Sequence, residues 1–353
     1  MSTKRATGFT DLPWNLKLKI MDSVDVVSKL AVRQSSRELR ELADQSIYVY
    51  EKLKVMFTRD KVRVQLQFER YQSVHIEFGT LLSLGYFMKN RNGSWCEIKF
   101  GPQHDMMAAV VRRVLKIFKT PRVSVKSFVI GVFCERFPHP WPDFHPEELE
   151  AVKEKLLGKL YRATRRMFYK LSVGTVEVAF PARPSEIRTV LELFDHEVVN
   201  WISIRNYWPT THPMHLSLGK ILETMHWRRA EKLTIQGYDH NIKLRQLWKF
   251  SVLSVEKKTI SRHDLIAMIE HYLTRRYWRR THLLIHEMNR DKILKALSKH
   301  PNAVVRPDQP IVFEKKNGNT VLKVDVTTDN KIRLYNVKCE NFIDTKFVSR
   351  KDF

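Results

Sequence analysis

Between Phe9 and Asp44 apolar residues recur every third or fourth position, a rhythm that predicts three short helices. Leu12-Pro13 opens the first, where a proline's missing N–H costs nothing and its fixed φ suits a first turn. Leu16, Ile20 and Val24 follow at every fourth residue and share one face. Val27, Leu30 and Ala31 mark a second helix, and Leu39, Leu42 and Ala43 a third. Ile47 to Lys54 reads as a helical continuation that ends this unit. So short a unit buries little apolar area alone and needs a partner surface.

The texture then changes, which puts a domain boundary near Tyr50 to Val55. Val62, Val64, Leu66 and Phe68 alternate with Arg63, Gln65, Gln67 and Glu69, and Val74, Ile76 and Phe78 repeat the pattern. Period two predicts half-buried strands. Asn92-Gly93 is a hairpin signal before Trp95 to Phe100, so 55–100 reads as a small antiparallel region. From Gly101 onward helix and strand patterns take turns. Met107, Val110, Val111, Val114, Leu115 and Phe118 predict a helix that Thr120-Pro121 stops. A strand is expected over Val123–Phe133 and a long helix from Pro146 to about Leu171. Further strands are expected at Val173–Phe180, Val198–Arg205, Lys232–Gln236, Phe250–Val255 and His282–His286. Helices are expected at Pro184–Phe194, Leu216–Trp227, Ser261–Arg276 and Asp291–Ser298, the third opened by a Ser261/Asp264 capping pattern. The end is β: Ile311–Glu314, an Asn317-Gly318 turn, Leu322–Val326, then Ile332 and Leu334.

The expected fold class is therefore mixed, α+β or α/β. Three N-terminal helices precede an irregularly repeated, open α/β layer that a C-terminal β-hairpin closes. A solenoid variant would resemble leucine-rich repeats, but no regular LxxLxL signature occurs.

Charge changes the picture more than composition does. The chain carries 62 Lys+Arg against 38 Asp+Glu, a formal +24, which favours acidic partners: nucleic acid, a membrane surface or an acidic protein. The first residues lack the apolar segment of a secretory signal, and no apolar run approaches the ~20 residues of a membrane span. Cys96, Cys134 and Cys339 are far apart and lack CxxC spacing, so they read as thiols of a reducing compartment, cytoplasm or nucleus.

Candidate chemistry is sparse. His139, Asp143 and His145 sit in a proline-rich stretch with no third His or Cys nearby, which reads as a stiffened aromatic loop and not a metal site. His282 and His286 lie in a strand-like run without an HExxH companion. No GxSxG, Walker-type loop, GxGxxG or catalytic cysteine signature occurs, so neither enzyme, cofactor nor metal is expected. The long helix is more telling. Lys155, Lys159, Arg162, Arg166 and Lys170 recur at helical spacing on one face, beside the apolar stripe Leu156, Leu160, Ala163, Met167 and Leu171. They are the candidate target-binding residues, weighed against an ordinary solvated face. Arg275-Arg276-Tyr277-Trp278-Arg279-Arg280 mixes cations with aromatics. It reads as a helix end whose aromatics enter the core while arginines cover carbonyls, ahead of a single-strand binding platform.

Two resemblances join these observations. Leu12-Pro13, Leu16, Ile20, Val24, Leu30, Val32-Arg33, Ser36-Arg37, Leu39 and Leu42 resemble an F-box, in a form frequent among nematode F-box proteins. Asn15 stands where that family usually has an acidic residue, and Ser35 where it has an apolar one. His226-Trp227, Ala230, Lys232-Leu233, Ile235, Leu247, Trp248-Lys249-Phe250 and Ser261-Arg262-His263-Asp264-Leu265 resemble the FTH domain, the F-box-associated homology domain of nematodes. The resemblance implies an F-box over 8–50 and an FTH-like partner-binding domain over 55–345. It also implies a substrate receptor of an SCF-type ubiquitin ligase. Leu12, Pro13, Leu16, Ile20, Val24, Leu30 and Leu39 would dock on a Skp-type adaptor and through it a cullin. The other domain would capture a target of acidic character. The alternatives are a basic nucleic-acid-binding protein, which leaves Phe9 to Asp44 unexplained, and a hydrolase-type enzyme, which has no motif.

Overall fold

The computed structural model describes residues 8–24, 26–57, 61–67, 73–79, 106–119, 123–132, 146–167, 170–207, 214–240, 242–275, 278–306, 309–315 and 320–338. The three cysteines, both Asn-Gly turns, the Trp95 to Phe100 run and the 138–145 stretch with His139, Asp143 and His145 lie outside them. The chain forms two compact units, Met1–Val176 with Glu192–Val198, and Glu177–Leu191 with Val199–Phe353.

The first unit opens with α1 (Trp14–Ser23), α2 (Val26–Val32) and α3 (Arg37–Gln45). Pro13 is the N-cap of α1, and Ser36 caps α3 by accepting the Leu39 N–H at 3.2 Å. Val24 does not continue α1 as its spacing suggests. It is the extended C-cap, with φ −76° and ψ 142°. A small core of Met21, Leu42 and Ala43 joins these helices. Two buried lysines complete it: Lys17 pairs with Glu38 at 2.7 Å, and the Lys29 ammonium donates to the carbonyls of Asp22 and Ile47 at 3.2 and 2.7 Å.

The stretch expected to extend the third helix is instead β1 (Tyr48–Phe57). It runs straight through the boundary expected at 50–55. Its aromatic and β-branched residues suit a pleated surface, and its long-range partners decide the matter. β2 (Lys61–Gln67) and β3 (Ser73–Gly79) follow antiparallel, and β4 (Val123–Val132) pairs parallel on the other side of β1. The order is β3-β2-β1-β4. Leu53, Val55 and Phe57 stand in register with Leu66, Val64 and Val62 on β2 and with Phe128, Ile130 and Val132 on β4, all of them buried.

α4 (Met106–Lys119) and α5 (Pro146–Arg165) complete this unit. α4 buries Met107, Val110, Val111, Val114 and Leu115, as their spacing predicts. α5 ends at Arg165, six residues short of the expected Leu171. Leu171 leaves the helix to bridge Phe194, donating its N–H to the Leu193 carbonyl at 3.2 Å. Phe118, Phe128 and Phe194 pack together, the last pair with ring centroids 4.9 Å apart.

β5 (Thr175–Ala179) leads into the second unit, followed by α6 (Pro184–Leu191) and β6 (Trp201–Arg205). The helix expected over Leu216–Trp227 is broken into β7 (Met214–Leu216), α7 (Gly219–Leu222) and α8 (Met225–Arg229), the last capped by Thr224. β8 (Lys232–Gln236), β9 (Tyr238–His240), β10 (Val252–Lys257), α9 (Arg262–Thr274), β11 (Arg280–Ile285) and α10 (Arg290–Ser298) come next. β12 (Ala303–Val304), β13 (Ile311–Glu314), β14 (Thr320–Val326) and β15 (Lys331–Lys338) end the chain's described part.

β6, β8, β10 and β11 are parallel neighbours in chain order, and β15, β14, β13 and β12 continue antiparallel. The class is mixed α/β, with a C-terminal hairpin of β14 and β15. Ile202, Leu233 and Leu253 stand in register as one buried row, and Ile204, Ile235, Val255 and Leu283 as another. β7 and β9 form a separate parallel pair. Gly237 precedes β9 at φ +73°, where a Cβ would collide with the Asn206 carbonyl, so the turn requires glycine.

Candidate functional site

Two surfaces of the first unit stand out. On α1, Lys17 and Met21 turn inward, at 7% and 3% exposure, whereas Leu16 and Ile20 are each 42% exposed. An amphipathic helix on its own core does the opposite. Trp14 and Ile47 are also large exposed apolar residues, so four of them fall within this small unit. Trp14 is held by its Nε1–H, which donates to Gln45 Oε1 at 3.1 Å, and Arg33 pairs with Asp44 at 2.5 Å. Of the other expected docking residues, Pro13 is exposed, and Leu12, Val24 and Leu39 are half-buried. The side chain of Leu30 lies outside the described residues. Ser35 is exposed and bonds the Ala31 carbonyl at 3.3 Å.

The second surface is a groove of about 370 Å³ between α4 and α5. Its floor is Ala108, Val111 and Leu115 of α4 with Ala163 of α5. Its walls carry Lys159, Arg162 and Arg166, together with Arg112 from α4. Three of the five expected target-binding cations therefore share one concavity. Lys155 is exposed elsewhere on α5 and does not line it. Lys170 lies beyond the helix, donating to the Glu192 carbonyl at 2.6 Å, so the face expected to carry five cations ends earlier. Arg112 had no signal beyond general basicity, because only the packing of α4 on α5 brings it there.

The remaining cation-aromatic features hold the second unit together. Trp278 is buried and stacks on Tyr272 at 4.3 Å. Arg275 donates to the carbonyls of Trp248, Lys249 and Phe250, so it covers a neighbouring segment and not the last carbonyls of its own helix. Trp227 meets Phe250 edge-on at 5.1 Å, and the Lys249 ammonium lies 4.5 Å from the Phe250 ring centre while donating to the Trp227 carbonyl. Burial pushes Lys249 down to about 8. Ser261 accepts the Asp264 N–H at 3.0 Å, as the capping pattern predicts. His282 is on β11, and His286, just past it, meets Glu256 at 2.6 Å. Among the described residues no group of three His, Cys, Asp or Glu side chains is placed to hold a metal ion, and no helix is long and apolar enough to cross a membrane.

Residues 162–300 match the FTH domain. The match is shorter than the 55–345 expected and starts within α5. The Trp227, Lys249 and Phe250 contacts lie within the matched residues. No curated protein matches the chain.

Proposed function

We propose that the chain is a substrate-receptor subunit of an SCF-type ubiquitin ligase. The outward-facing Leu16 and Ile20 carry the reading, and the FTH match over residues 162–300 supports it. Phe9 to Asp44 serves as the F-box and docks on a Skp-type adaptor, which links it to a cullin. The rest of the chain captures the target. Such a receptor needs no catalytic residue, because it contributes proximity to chemistry done on a partner. It works in the cytoplasm or nucleus.

Leu16→Ala with Ile20→Ala tests the docking. Both side chains are exposed in the free chain, so their loss spares the core. Burying the exposed part of two such side chains is worth roughly 1–2 kcal/mol, or about tenfold or more in affinity. Co-purification with the adaptor should fall by that much while circular dichroism stays unaltered. Undiminished co-purification would remove the F-box assignment.

A further inference from the structure

We infer that the groove between α4 and α5 seats an acidic protein segment anchored by an aliphatic side chain. This names the target's chemistry within the receptor reading and rests on that reading for its biological use. The binding itself is independent of adaptor docking.

Three observations select this occupant. The floor is aliphatic and low, because two of its four residues are alanines. A Leu- or Ile-sized side chain entering there loses water against Val111 and Leu115. The walls bring four cations from α4, α5 and the residue just past α5, and among the described residues that line the groove none is acidic. Arg162 donates its Nε–H to the Gly158 carbonyl at 3.1 Å, one of the five N–H donors a guanidinium has. Carboxylates on either side of an aliphatic anchor would meet these cations beside an apolar floor, where charge-assisted bonds are stronger than on open surface. The third observation discriminates against nucleic acid. Single strands need aromatic faces for their bases, and among the described residues that line the groove none is aromatic.

The test is fluorescence anisotropy on the full chain, with a labelled synthetic peptide holding a pair of leucines flanked by glutamates. The same peptide with serines for leucines and a single-stranded oligonucleotide serve as competitors. The leucine peptide should bind at least about tenfold tighter than either at physiological salt. Arg112→Glu with Arg162→Glu should weaken it about tenfold or more. Lys243→Glu with Arg245→Glu makes the same charge change on exposed positions of the second unit and should leave it nearly unaltered. Ala163→Trp fills the groove without touching charge and should also weaken the peptide. Where that variant melts early, the two charge pairs decide alone. Equal binding of the serine peptide, tighter binding of the oligonucleotide, or equal losses in both charge pairs would overturn the inference. Adaptor co-purification of the groove variants should match the parent. If the groove variants lose the peptide while Leu16→Ala with Ile20→Ala still docks fully, the receptor reading fails and the groove stands.

Discussion

His240, the last residue of β9, is only 3% exposed, and neither ring nitrogen has a hydrogen-bond partner among the described residues. Burial is the main reason its pKa falls to about 3, with the Lys257 ammonium next, and His215 adds to it while Asp239 opposes. Lys257 donates to the His240 and Ile242 carbonyls, which fixes that positive charge close by. The sign follows from linkage. An unfolded histidine takes its proton near pH 6.5, whereas the folded one resists until about 3. The unfolded state therefore binds more protons as pH falls below 6.5, and stability is lost by up to roughly 1.4 kcal/mol per pH unit. Above pH 6.5 this contribution is fully present. His271 and His282 are also depressed, mainly by burial, and act in the same direction. Urea midpoints should thus decline from pH 6.5 toward 4, and His240→Leu should flatten part of that decline. Tryptophan fluorescence reports it, since Trp201, Trp227, Trp248 and Trp278 all belong to the second unit. An acid limb as steep in His240→Leu as in the parent would show that this histidine is not buried neutral.

At the scale of elements, α5 carries a glycine inside its span. A Cβ on Gly158 meets nothing within 4 Å, so alanine fits without displacement. Glycine in a helix interior costs roughly 1 kcal/mol relative to alanine, through the entropy it loses. Gly158→Ala should raise the melting temperature of the first unit by a few degrees, about 0.5–1 kcal/mol, in a calorimetric scan. A lower melting temperature would mean that the helix needs glycine for a reason its surroundings do not show. The elements that were legible in the chain share one property: their signal is local. Met107, Val110, Val114 and Leu115 spell α4, Pro146 starts α5, and Ser261 starts α9. The misread ones are decided at a distance. The apolar rhythm runs on through Met167 to Leu171, but Leu171 pairs with Phe194. Glu51 to Lys54 are good helix formers, yet the strand they belong to pairs with one that begins at Val123. The candidate sites divide the same way. Three groove cations were readable as a helical face, whereas Arg112 and the floor required α4 to dock. Leu16 and Ile20 were readable as a stripe, but its outward direction depended on Lys17 and Met21 winning the core.

At the scale of the whole molecule, β1 is the strand that ties the N-terminal helices to the sheet behind them. It lies between β2 and β4, so it is central in its sheet and not a linker. The helices grip its start: Lys29 donates to the Ile47 carbonyl, and its ammonium lies 5.6 Å from the Tyr48 ring centre. Two truncations separate the possible boundaries. Removing residues 1–46 takes away the helices and leaves all of β1. Removing 1–57 takes away β1 as well and strips both β2 and β4 of a neighbour. Val55, Phe57, Val64 and Ile130 are buried by this pairing, and without it β4 presents an unpaired, apolar edge that invites aggregation. The shorter truncation should stay soluble, keep the groove's peptide binding and lose adaptor docking. The longer one should aggregate or lose the first unit's cooperative melting. If a chain starting at 58 is as soluble and as cooperative as one starting at 47, the sheet does not depend on β1. The independent domain would then begin where the change from helical spacing to alternation first suggested.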